Sequence, residues 1–132
     1  MGIEPYLIST TVIGVLAQRL VRVLCPKCRE SYRLPAKALK KYFPGTDKQS
    51  GEFLLYRAKG CGSCNFTGYH GRIGIFELLV MSEELKQFIQ SGTNDKSGLD
   101  RLPAPKTLRD SGLGLVKQGV TTVEEVFRTT VE

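Results

Sequence analysis

The chain has no tryptophan, a single histidine and only four cysteines among its 132 residues. With His70 as the sole imidazole, no Ser/His/Asp set can be assembled. No convincing carboxylate pair is present, and the phosphate-loop pattern GxxxxGK[ST] is absent. The chain by itself therefore carries no recognisable catalytic machinery. Long hydrophobic runs are also missing. The most apolar stretch, Pro5 to Gln18, runs into Arg19 and Arg22 and is shorter than the roughly 18 residues a membrane span requires. Around Glu4 there is no basic n-region and no small-residue cleavage site follows, so no secretory signal is read. The expected compartment is the cytosol, where thiols stay reduced.

Acidic residues are the scarcer charge, 13 against 19 Lys and Arg, for a net charge of +6. The excess is local. Residues Arg19 to Lys48 hold nine basic residues against Glu30 and Asp47, a balance of +7, and the remainder of the chain sums to −1. Such a patch suits nucleic acid, anionic lipid or an acidic protein face, or simply a solvated surface that offsets thiolate charge. An apolar fraction of 41% with 24% charged residues allows a packed core and excludes a disordered chain.

Apolar residues from Leu7 to Leu24 recur on more than one face, and the spacing predicts a buried helix over 5–24. Pro26 ends it. Pro35 at a first helical position predicts a short basic helix from Ala36 to Tyr42, and Phe43 to Asp47 is turn chemistry. Strands are expected from Glu52 to Ala58 and from Arg72 to Val80, the latter broken at Gly74. Ser82 followed by Glu83 and Glu84 opens a helix to about Gln90. Ser91 to Lys106 reads as a polar linker. Thr107 with Asp110, and Thr122 with Glu125, resemble capping boxes for two last helices.

The cysteines carry the chemistry. Cys25-x2-Cys28 and Cys61-x2-Cys64 are separated by thirty-two residues, and each pair can turn as a knuckle that presents two sulfurs to one side. Together they complete a four-thiolate shell with no open position, the preferred structural site of zinc, although iron suits the same sulfurs. Gly60, Gly62 and Pro26 supply the turn geometry, and Lys27, Arg29 and Lys59 are placed to offset the thiolate charge. His70 is read as a loop residue. Metal removal is expected to loosen residues 25–76 and to leave the flanking helices intact.

Ala17-Gln18-Arg19-Leu20-Val21-Arg22 before Leu24-Cys25-Pro26-Lys27-Cys28 resembles the tetracysteine region of the secretion and pilus-assembly ATPases. Cys61-Gly62-Ser63-Cys64, Thr67-Gly68-Tyr69, Gly71-Arg72 and Gly74-Ile75-Phe76-Glu77-Leu78-Leu79 agree with it. So do Thr107-Leu108-Arg109 and Gly119-Val120-Thr121-Thr122-Val123-Glu124-Glu125-Val126. The resemblance covers residues 1–90 and 107–130 and departs at the linker 91–106.

The resemblance implies an α+β chain: a small antiparallel zinc-bound layer with two CxxC knuckles, flanked by helices, as the C-terminal piece of a RecA-like P-loop ATPase domain. Residues 1–24 would end that domain, 25–80 form the metal-binding subdomain, and 81–132 supply the C-terminal helices. The implied parent is a cytoplasmic homo-hexamer, peripheral at the inner membrane through other components of the secretion system. With ATP and magnesium held only by the parent, it would power type II protein secretion by pseudopilus assembly. A type IV pilus extension ATPase is the alternative within the family, and a free-standing zinc ribbon that binds nucleic acid is the alternative outside it. Against the latter, only Tyr32, Tyr42 and Phe43 interleave with the basic residues to stack bases, so no nucleic acid is expected.

Overall fold

The computed structural model describes residues 2–43, 52–92, 102 and 104–130. Much of the expected turn up to Asp47, the end of the basic stretch at Lys48 and most of the linker 91–106 lie outside the described residues. The elements in order are α1 (Pro5–Thr11), β1 (Gly14–Leu24), β2 (Glu30–Pro35), α2 (Ala36–Leu39), β3 (Glu52–Arg57), β4 (Tyr69–Val80), α3 (Glu83–Ser91), α4 (Leu108–Lys117) and α5 (Val123–Thr129), with a short 3-10 turn at Gly62–Cys64. This is the expected α+β mixture, built on two separate two-stranded sheets, β1 with β4 and β2 with β3.

The helix expected over 5–24 is corrected. It stops at Thr11, Val12 is already extended, and residues 14–24 form β1. The hydroxyls of Ser9 and Thr10 donate to the carbonyl of Tyr6, four residues back or fewer, which weakens the helix they sit in. Beyond them, Val12, Ile13 and Val15 are β-branched, with Gly14 between them, a composition that favours strand. A run apolar on every face satisfies either period, and here the local residues decide.

Two compact units interleave along the chain. Unit 1 comprises Met1–Ala17 with Glu77–Thr107, and unit 2 comprises Gln18–Phe76 with Leu108–Glu132. In unit 1, α1 lies against α3. The buried Ser9 hydroxyl accepts from Gln90 Nε2 at 2.8 Å. Ser82 caps α3 by accepting from the Leu85 amide, as the sequence predicts, and Gly92 closes it in the left-handed region. Unit 1 has little interior. Among its described residues only Ser9 and Leu85 are buried, while Ile3, Tyr6, Leu7, Ile13, Val15, Leu16, Leu78 and Val80 are exposed.

Unit 2 holds the core. Leu39 of α2 and Phe43 just beyond it, Leu55 of β3, Leu113 and Val116 of α4, and Val123 and Val126 of α5 form one buried cluster. Tyr42 meets Phe127 edge to face with ring centroids 5.6 Å apart. Strands β2 and β3 run antiparallel with Glu30 opposite Arg57 and Pro35 opposite Glu52. Helix α4 approaches α5 closely at Gly112, where an added Cβ would sit 2.6 Å from Val126 Cγ1. Gly112→Ala is therefore expected to destabilise unit 2 by about 1–3 kcal/mol through overpacking, despite a helix-propensity gain of about 1 kcal/mol. A lower urea midpoint for the metal-loaded chain checks this.

Candidate metal centre

The β2–β3 ribbon explains why the distant cysteine pairs meet. Glu30 begins β2 just after Cys28, and its cross-strand partner Arg57 ends β3 just before Gly60 and Cys61. Pairing of the ribbon thus delivers one knuckle to the other. The two knuckles fold alike. The Cys25 carbonyl accepts from the amides of Cys28 and Arg29 at 3.3 and 3.0 Å, and the Cys61 carbonyl accepts from Cys64 and Phe66 at 3.1 and 2.9 Å.

Of the two knuckle glycines, Gly60 is the one the backbone demands. Its φ is +109°, and an added Cβ would lie 2.7 Å from the Phe66 carbonyl oxygen. Gly62 sits in the short turn without a positive φ. Asn65 and Phe66 are both left-handed, at φ 52° and 60°, a conformation that costs a non-glycine residue about 1–2 kcal/mol. Phe66 nevertheless points its ring outward, 78% exposed.

All four sulfurs lie within 4.8 Å of one another. Cys25–Cys61, Cys28–Cys64 and Cys61–Cys64 are separated by 3.9, 3.8 and 3.9 Å. A tetrahedral ion with metal–sulfur bonds of about 2.3 Å demands edges of about 3.8 Å, whereas a disulfide demands about 2.05 Å. The four cysteines are free thiols, and the set fits one four-coordinate metal ion. Cys25 and Cys64 are buried, Cys28 and Cys61 half-buried. His70 contributes nothing to the cluster and is exposed.

The protein already prepares a thiolate here. Burial alone would raise the Cys64 thiol, but the amides of Cys61 and Gly68, each 3.2 Å from its sulfur, help hold it down at about 6, together with contacts to Cys28 and Cys61. Burial pushes the Cys28 thiol up to about 11, against one amide from Gly60 at 3.3 Å. Each proton that the cluster cannot lose alone is one that a bound cation displaces.

Of Lys27, Arg29 and Lys59, expected to offset the thiolate charge, Lys59 feels the charge of Cys28, while all three also have other partners. Lys27 bonds the Ser63 hydroxyl at 3.2 Å, and Lys59 pairs with Glu30 at 3.0 Å. Arg29 stacks 4.4 Å over the Tyr56 ring and donates to the Gly119 carbonyl at 2.6 Å. Backbone amides donate to the sulfurs of Cys28 and Cys64, and the Lys59 ammonium adds its charge near Cys28.

Sequence reasoning missed the segment that braces the centre. Leu24 N donates to Val120 O at 2.8 Å, and the buried Thr121 donates to Arg22 O at 2.7 Å. Tyr69 and Thr122 share a hydroxyl bond of 3.0 Å. Thr122 caps α5 by accepting from the Glu125 amide, as its spacing predicted. The Glu125 carboxylate does not complete the box. It accepts both the Arg22 guanidinium, at 3.1 and 2.9 Å, and the Arg22 amide at 3.1 Å, with Arg128 at 2.7 Å. Arg22 and Arg29 are thus both engaged within the fold while remaining exposed.

Four cysteines clustered on paired CxxC knuckles, at the end of a ribbon packed against two helices, define an α+β module able to hold a metal ion. The model of the type II/IV secretion system protein family matches residues 1–128, and the chain belongs to that family. It is 47% identical over 133 residues to the type II secretion system ATPase E of Vibrio cholerae, covering all of this chain and 26% of the relative. The type II secretion system protein E of Pseudomonas aeruginosa is 46% identical over 134 residues, again 26% of its length. The type IV pilus assembly ATPase PilB of Thermus thermophilus is 40% identical over 134 residues, 15% of its length. The chain thus spans about a quarter of the length of these type II relatives. Among the described residues no helix is long and apolar enough to cross a membrane.

Proposed function

We propose that this chain is the C-terminal zinc-binding part of a cytoplasmic hexameric ATPase that powers type II protein secretion through pseudopilus assembly. Its own role is structural and protein-contacting, with Cys25, Cys28, Cys61 and Cys64 holding one zinc ion. Sulfur-only ligation with no open position favours zinc over the harder cations and gives the ion no catalytic place. ATP and magnesium belong to the parent, whose partners are its own copies and inner-membrane components of the secretion system.

The observation that carries the reading is the contrast between the units. Unit 2 closes around its own core, whereas unit 1 leaves eight large apolar residues in solvent with Ser9 and Leu85 alone buried among its described residues. An apolar surface of that kind is covered in the working protein, and the end of a RecA-like ATPase domain, residues 1–24 in this reading, supplies the reason. Residues 25–80 then form the metal-binding subdomain and 81–132 the closing helices.

A domain exchange tests the assignment. The chain replaces the matching 133 residues of the Vibrio cholerae relative, and the chimera is assayed for metal content, ATP hydrolysis and secretion. One zinc per chain with hydrolysis and secretion is expected. A folded chimera without hydrolysis would refute the reading. Activity only when grafted into the pilus ATPase relative would favour the alternative, that this is a type IV pilus extension ATPase.

A further inference from the structure

Beside the metal centre lies a cleft of about 240 Å³ lined by Arg22, Thr67, Tyr69, Gly71 and Arg72. The Arg22 guanidinium is fixed before any ligand arrives. Its Nε and one amino nitrogen bond Glu125, and its plane rests 4.1 Å over the Tyr69 ring. Its other amino nitrogen has no partner among the described residues. Arg72 is exposed and has neither ion pair nor hydrogen bond among them.

Other polar groups of the cleft are spent. The Thr67 hydroxyl is occupied by the carbonyls of Cys64 and Tyr69 and by the Tyr69 amide, and the Tyr69 hydroxyl by Thr122. Among the described residues no carboxylate lines the cleft. Glu125 lies behind Arg22 and is shared with Arg128. Arg22, Arg72 and Arg128 against Glu125 leave a local charge of +2. We propose that this cleft binds a phosphate dianion, free or carried on a small molecule, between the open edge of Arg22 and Arg72.

The chemistry favours phosphate over a carboxylate. A double negative charge matches the local balance, and guanidinium groups meet phosphate oxygens through paired hydrogen bonds. Arg22 is held against rotation, so it loses little freedom on binding. The site is formed by the knuckle exit at Thr67–Gly71 and does not depend on the assignment to a secretion ATPase.

The full metal-loaded chain is titrated with inorganic phosphate at constant ionic strength, following the Nε resonances of Arg22 and Arg72 and the Gly71 amide. Saturable shifts at these three residues are expected. Arg72→Ala weakens binding about ten-fold, because it removes one charge-assisted hydrogen bond to the anion, and Arg72→Lys restores part of it. Arg33→Ala, an exposed arginine on β2, leaves binding unchanged. Tighter binding of adenosine triphosphate than of phosphate identifies a carried group, and equal binding identifies the free anion. Shifts that chloride reproduces, equal binding of acetate, or an Arg72→Ala protein that binds like the wild type would each overturn the proposal.

Discussion

Chelation of the metal is expected to unfold α4 and α5 together with residues 25–43 and 52–76, while α1 and α3 keep their protection. The sequence alone led to the opposite expectation for the C-terminal helices, that they outlast the metal loop. The reason for the change is the composition of the core. Leu39, Phe43 and Leu55 belong to the segment between the cysteine pairs, and they pack with Leu113, Val116, Val123 and Val126 of α4 and α5. No second core is available to those helices among the described residues. The turn Gly119–Thr122 is also bonded to the metal knuckles through Leu24, Arg22, Arg29 and Tyr69.

The magnitudes agree with that outcome. A structural zinc ion contributes on the order of 10 kcal/mol to folding, whereas a domain has only about 5–15 kcal/mol of stability in total. Loss of the ion therefore removes most or all of what holds unit 2. Hydrogen exchange read peptide by peptide before and after chelation decides it. Protected amides in α4 and α5 beside fast exchange at 52–76 would show that the two parts are uncoupled.

Glu125→Ala is expected to cost about 3–5 kcal/mol, the penalty for breaking a buried ion pair by removing one partner. Its side chain is 1% exposed, and the change strands the Arg22 amide and leaves Arg22 and Arg128 without their shared anion. Glu125→Gln keeps the shape and one acceptor and costs less, about 1–3 kcal/mol. Burial alone would raise this carboxyl, yet Arg22 and Arg128 hold it at about 2, against 4.5 for an ordinary glutamate.

A depressed carboxylate stabilises the fold above its unfolded value and loses that contribution as pH falls from about 4.5 towards 2. The interval corresponds to about 3 kcal/mol, which screening at the half-exposed Arg22 and Arg128 reduces towards 2. The stability difference between wild type and Glu125→Gln in urea should accordingly stay constant from pH 7 down to 5, since that range lies above both values. A difference that shrinks across it would assign the effect to another titrating group.

Much of the site was legible because its signal is local. The spacing of the two CxxC pairs marks the four cysteines that cluster, and the caps at Ser82 and Thr122 and the strand from Glu52 were read where they occur. What failed was whatever depends on distant partners. Residues 14–24 are apolar on several faces, a pattern shared by a buried helix and a strand. Gly74 looked like a break, but β4 runs through it without interruption. Lys27, Arg29 and Lys59 were assigned to the thiolates by proximity in sequence; Lys59 does feel the Cys28 charge, whereas Lys27 bonds Ser63 and Arg29 bonds the Gly119 carbonyl. Glu125 read as half of a capping box, and only the fold shows it 103 residues from Arg22 in sequence and in contact with it.

The interleaved layout also sets an order in time. During synthesis both cysteine pairs leave the ribosome well before Gly119–Thr122 and the helices that complete their core. Closing a contact across such a separation is slow for a bare chain. A metal captured early by Cys25, Cys28, Cys61 and Cys64 would shorten that search, because it would pin the β2–β3 ribbon while α4 and α5 are still to arrive. An ion held there would be a folding template first and a fastener afterwards, and in that case metal supply during translation would govern how much of this protein matures.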